Sequence, residues 1–141
     1  MVVATAHDSL IQLVGPDRHA ELLAVVKDVV RAVPEMSGRY GDEELEQLVR
    51  AFGGVLSEAL EGDSRERLEL LVETAVPAFV ADGQTVSSLA RASGMFAVAL
   101  SASLVLSVPE EERAASAAWL AAFFGEYTQA VVDEALRAGA P

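Results

Sequence analysis

TVSSLARASGMFAVALSASLVLSV, residues 85–108, decides how this chain folds. Arg91 is its only charge. Small and apolar residues fall on every side of any helix drawn through it. A helix that is apolar all round must be covered all round, so the other helices are expected to form its coat. Thr85 stands where an N-cap belongs.

Working outward toward the C-terminus, Ser107-Val108-Pro109-Glu110 matches the capping box S-x-x-E. This ends one helix and starts another, expected from 108 to about 138 and roughly 45 Å long. The connection is too short for anything but an antiparallel hairpin. Small residues recur at spacings of four: Ser93, Ala97 and Ser101; Ala114, Ala118 and Ala122; Ala117, Ala121 and Gly125. Such stripes let helix axes approach closely. Trp119, Phe123, Phe124 and Tyr127 lie around the same last helix. A helix with both a small and an aromatic stripe carries more apolar face than one neighbour can cover. Ala114, Ala118, Trp119, Ala122, Phe123 and Tyr127 are therefore expected at a homodimer interface. A C2 pairing of the last two helices would make a four-helix bundle.

Toward the N-terminus, the pattern predicts four more helices. Residues 5–14 form a short one, stopped by Gly15-Pro16. Asp17 is the expected cap of the next, 18–33, which carries Leu22, Val26, Val29 and Val33 at helical spacing. Residues 34–41 are irregular. Asp42 then caps a helix over 43–61, with Glu43, Glu44 and Glu46 suited to its positive N-terminal end. Its buried stripe runs Leu45, Val49, Phe52, Val55, Leu56, Leu60. Gly53-Gly54 in mid-helix signals either close approach of another backbone or a kink beside a cavity. Gly62 is a C-cap candidate. The helix over 65–81 contains Pro77, which should bend it. No alternation of period two competes, so the expected fold is all-α: one domain over residues 1–141, a bundle of about six helices.

The totals narrow the function. The chain is 52% hydrophobic and carries a net charge of −12. That surface repels phosphates, which argues against nucleic acid and anionic membranes as partners. The most apolar run, 94–106, is shorter than the roughly 20 residues a membrane span needs. Residues 1–14 lack a basic leader, with His7 and Asp8 interrupting the apolar run, so no signal peptide is expected and the chain reads as cytoplasmic. There is no cysteine, hence no disulfide and no thiolate metal site. His7 and His19 are the only histidines and read as solvated surface residues; no metal site is expected. No HExxH, GxSxG or phosphate-binding glycine loop occurs. Serines along 87–103 have no histidine near them in sequence to act as a base. No catalytic residue is expected, and the chain reads as a non-enzyme. Arg91, in the second turn of its helix, can snorkel to solvent or hold an anion.

The segments GDEELEQLVRAF (41–52), RERLELLVETAVPAFVADGQTVSSLARA (65–92) and EERAASAAWLAAFFGEYTQAVVDEAL (111–136) carry a resemblance. From Tyr40 to Gly139 the chain resembles the N-terminal sensor domain of RsbR-type stressosome co-antagonists. The resemblance implies a globin-like fold without haem, dimeric and regulatory, that passes a signal through its C-terminal helix. In such proteins that helix continues into a STAS domain that works with a switch kinase. This chain ends at Pro141 without a STAS domain, as a fragment or a stand-alone relative. A haem globin needs a proximal histidine on the helix before the central one, and 65–82 contains none, so no haem is expected. A ligand would instead sit in the haem position, lined by Phe52, Phe79, Met95 and Phe96, with Arg91 near it. That requires a cavity of a few hundred Å³. The alternatives are a protein-interaction adaptor with a filled core, or a carrier of a small hydrophobic ligand such as a fatty acid.

Overall fold

The computed structural model describes residues 5–141, with side chains described from Asp8 onward. Six α-helices carry the fold, and no strand occurs among the described residues: α1 Thr5–Leu13, α2 His19–Ala32, α3 Asp42–Gly62, α4 Glu66–Ala81, α5 Val86–Ser107 and α6 Arg113–Arg137. Short 3-10 turns at Pro16–Arg18 and Glu110–Glu112 lead into α2 and α6. The all-α bundle and its closing antiparallel hairpin are as the periodicity indicates. The α5–α6 pair is the most extensive contact in the molecule, followed by α4 with α6.

The helix ends show which local rules won. Thr85 caps α5 as expected: its hydroxyl accepts from the Ser88 amide at 3.0 Å, and the Ser88 hydroxyl accepts from the Thr85 amide at 3.0 Å. The box at Ser107–Glu110 does not form. Ser107 instead donates back to the Ser103 carbonyl at 2.9 Å, and Arg113 reaches the Val108 and Leu106 carbonyls at 3.3 and 3.4 Å. That arginine satisfies the orphan acceptors at the end of α5. Asp17 is not a cap either, because Pro16 already opens the helical turn and Gly15 takes the cap position. Gly41 precedes α3, its amide bonded to Glu44 Oε1 at 3.2 Å, so Asp42 is the first helical residue. The left-handed residue after α3 is Asp63 (φ 51°), one position beyond Gly62.

The core is built around Phe52 on α3. Its ring meets Phe96 at 4.9 Å, Tyr127 at 5.2 Å and Phe124 at 6.0 Å. Aromatic pairs at such distances prefer tilted and edge-on contact, each adding about 0.5–1.5 kcal/mol beyond burial. The next residue, Gly53, accounts for part of the glycine pair. A Cβ there would lie 2.9 Å from His19 Nε2 and 3.7 Å from the Val14 carbonyl oxygen. The close neighbour is thus an imidazole together with the end of α1. His19 is half-buried rather than a solvated surface residue. His7 lies outside the residues whose side chains are described. A Cβ on Gly54 would lie 2.8 Å from Arg67 Nη1, on the α4 side.

Helix α5 departs from its expectation. It is not covered all round. Ser88, Leu89, Ser93, Phe96, Leu100 and Leu104 make one buried stripe. The opposite side is open: Val98 is 73% exposed and Leu106 69%. The helix has 22 residues and a most apolar window of mean hydropathy 1.7, of which 28% is buried. By length and composition alone it could cross a membrane, which the run 94–106 taken by itself does not indicate. The reason for partial cover is geometric. With α1 and α2 along one flank and α6 on the other, no helix remains for the outer side.

Candidate functional site

Two features can carry function: an apolar cavity inside the bundle, and the uncovered face of α5 and α6. They lie on opposite sides of α5.

The cavity measures about 100 Å³. Its walls come from α2, α3, α4, α5 and α6 and from the 33–41 segment. Val26, Val49, Phe52, Val76, Phe79 and Phe96 are representative of a lining that is almost wholly hydrocarbon. No charged residue and no histidine lines it; the only hydroxyls are those of Tyr40, Ser93 and Tyr127. Burial pushes the Tyr127 phenol pKa above its ordinary value, with the Ser93 hydroxyl pulling partly back. Burial likewise raises that of Tyr40, against a lowering by the Gln84 side chain. The Tyr40 hydroxyl is buried and has no hydrogen-bond partner of full geometry. Leaving a buried hydroxyl unpaired costs about 1–3 kcal/mol.

The 33–41 segment is fastened at several points. Gln84, 1% exposed, donates its amide to the Glu35 carbonyl at 2.8 Å and accepts from the Ser88 hydroxyl at 2.8 Å. Arg39 donates to the Asp82 carbonyl at 2.6 Å. The Tyr40 ring stands edge-on to Phe79 at 5.2 Å. The periodicity of the sequence does not reveal Gln84, which sits between two helices in the run DGQT. Its only sequence signal is a large polar residue wedged between a chain-reversing glycine (Gly83, φ 96°) and a capping threonine.

Of the residues expected to line a ligand site, the structure brings together Phe52, Phe79 and Phe96. Arg91 and Met95 are corrections: neither lines the cavity. Arg91 is exposed and pairs with Glu35 at 3.5 Å, so it snorkels. Its worth as an exposed pair is small. Met95, the residue before Phe96, is half-buried and packs against the core outside the cavity lining. The size expectation also needs correcting. A volume of about 100 Å³ is well below the roughly 300–1,000 Å³ of ordinary ligand pockets. A long acyl chain does not fit this space as folded.

The uncovered face belongs to α5 and α6. Every exposed position of α6 from 114 to 125 is alanine or glycine: Ala114, Ala115, Ala117, Ala118, Ala121, Ala122 and Gly125. Val98, Ala99, Ala102, Ser103, Leu106 and Ser107 are the exposed positions in the second half of α5. The α6 stripes therefore point to solvent instead of packing the hairpin. The aromatic stripe of α6 turns inward. Phe123 is 1% exposed and stacks on Trp119 at 5.1 Å, with the Arg65 guanidinium 5.4 Å from its centroid. Arg65 is held there by Glu126 at 2.8 Å. Phe123 and Tyr127 are spent on the protomer's own core and cannot face a partner. Ala114, Ala118 and Ala122 remain available, and Trp119 is half-buried beside them. Among the described residues no group of three or more His, Asp or Glu side chains is placed to hold a metal ion. Compared with known proteins, the chain matches no family model, no curated protein and no solved structure.

Proposed function

We propose that this chain is a non-catalytic regulatory module that works as a homodimer through the outer face of α5 and α6. The observation that carries the reading is the absence of charge from that face. The molecule has a net charge of −12, yet the exposed residues of α6 from 114 to 125 are all alanine or glycine. A contiguous exposed apolar patch with a polar rim marks an interaction surface. A second copy is the natural cover. Like-charged molecules approach most cheaply where neither carries charge, and alanine stripes allow close helix contact. A two-fold axis across this face would pair two hairpins into a four-helix arrangement.

The rest of the reading leans on the resemblance of residues 40–139 to RsbR-type sensor domains. It brings with it a globin-like arrangement without haem, a cytoplasmic setting, a signal carried along α6, and STAS-domain or switch-kinase partners. An adaptor role, in which the same face meets a different protein, is the second reading.

Native mass spectrometry at micromolar concentration tests the first. The expected result is a dimer that Ala118→Glu or Ala122→Glu converts to a monomer, with helical circular dichroism unchanged because both positions face solvent. A wild-type monomer at these concentrations ends the homodimer reading. Binding of vesicles in place of self-association would reassign the face to a membrane.

A further inference from the structure

We propose that the cavity inside the bundle is a binding site for a small neutral molecule with an apolar body and one hydrogen-bonding oxygen, met by the Tyr40 hydroxyl. This goes beyond the dimer reading and is independent of it, because the cavity and the outer face lie on opposite sides of α5.

Three observations converge. The first is the lining, hydrocarbon apart from Tyr40, Ser93 and Tyr127, with no charged side chain. An ion placed there would lose its hydration without gaining a counter-charge, so the ligand is neutral. The second is the state of the hydroxyls. Ser93 and Tyr127 interact with each other. The Tyr40 hydroxyl is buried and makes no hydrogen bond of full geometry, with the Gln84 side chain as its polar neighbour. Buried polar groups in native proteins are nearly always satisfied, so this one awaits an acceptor. The third is size. At about 100 Å³ the space is somewhat smaller than the roughly 150 Å³ cavity that accepts benzene. A ligand of about six heavy atoms or fewer is the match.

The Tyr40 ring is also held in place in advance. Phe79 meets it edge-on, and the Gln84 bond to the Glu35 carbonyl anchors its segment. A donor already positioned needs no ordering when the ligand arrives.

The test uses cyclopentanone, cyclopentane and butanoate, titrated into the full chain at neutral pH and followed by methyl NMR of the lining valines and leucines. Cyclopentanone should bind about 3-fold or more tighter than cyclopentane, as one net hydrogen bond implies, and butanoate should not bind. In Tyr40→Phe the two neutral probes should bind alike, with cyclopentane unaffected. Ala75→Leu, which fills the cavity from α4, should abolish both. The proposal is overturned if no neutral probe shifts the lining methyls, if butanoate binds as well as cyclopentanone, or if the ketone preference survives Tyr40→Phe. A folded Ala75→Leu protein that still binds the probes would equally overturn it.

Discussion

Tyr40 and Tyr127 are the only tyrosines in the chain, and burial raises the pKa of both phenols. The consequence for stability has a definite sign. Each phenol holds its proton more firmly in the fold than in the unfolded chain, where its pKa is about 10. The contribution is therefore fully present below pH 10 and is lost as pH rises from 10 through the folded-state values. Absorbance titration of the native protein near 295 nm should show less than half of the phenols ionised at pH 10. Chemical stability measured in urea should begin to fall above that pH. A native titration with an ordinary midpoint would contradict the burial of both rings. The other residue with an unusual demand is Gly53. The His19 ring occupies the space a side chain would need, which is why helix propensity is given up in the middle of α3.

At the scale of elements, the join between α4 and α5 concentrates the most bonding in the fewest residues. Thr85 and Ser88 cap α5 reciprocally, while Gln84 ties the 33–41 segment to that cap. The two jobs differ in cost. Thr85→Ala removes one cap at a partly exposed helix end and should destabilise by about 1 kcal/mol. Gln84→Ala leaves the Glu35 carbonyl without its donor inside the protein, removes one of the bonds of the Ser88 hydroxyl and empties the volume of the side chain. It should cost more, about 2–3 kcal/mol. Urea denaturation of the two variants checks the order, and an equal or reversed ranking would mean that Gln84 is not the anchor. The Thr85 cap was legible because capping depends on neighbours in sequence. The Gln84 anchor was not, because its acceptor at Glu35 lies 49 residues away. The Ser107–Glu110 box shows the converse failure. Its sequence is right, but the helical turn begins at Glu110 with Pro109 in the cap position, and the Ser107 hydroxyl bonds back to the Ser103 carbonyl.

At the scale of the molecule, charge and cover are the two governing quantities. A net charge of −12 opposes association of two copies at long range, and salt relieves it, since the screening length shrinks from about 30 Å at 0.01 M to about 8 Å at 0.15 M. Dimerisation through the uncharged α5–α6 face should therefore strengthen as sodium chloride rises over that range. Sedimentation equilibrium at both salts reads this directly; weaker association at the higher salt would mean that the contact is made by ion pairs and not by the alanine face.

What the sequence determined by itself was everything that depends on short-range order. The number of helices, most of their limits, the closing hairpin and the stripes of α3 follow from periodicity, prolines, glycines and caps, all read within a few residues. Tertiary structure alone decided which sides of α5 and α6 are covered. An apolar, small-residue helix looks the same in sequence whether neighbours surround it or flank one side of it, and six helices leave no element for the outer side. The same limit applies to the cavity. Phe52, Phe79 and Phe96 were visible as apolar residues on inward stripes, but Arg91 and Met95 were misplaced onto it. The volume of about 100 Å³ and the unpaired Tyr40 hydroxyl exist only where five helices and a loop meet. Residues 85–108 specified a helix with more apolar surface than most; how much of it the chain itself could bury was settled by the packing of the rest.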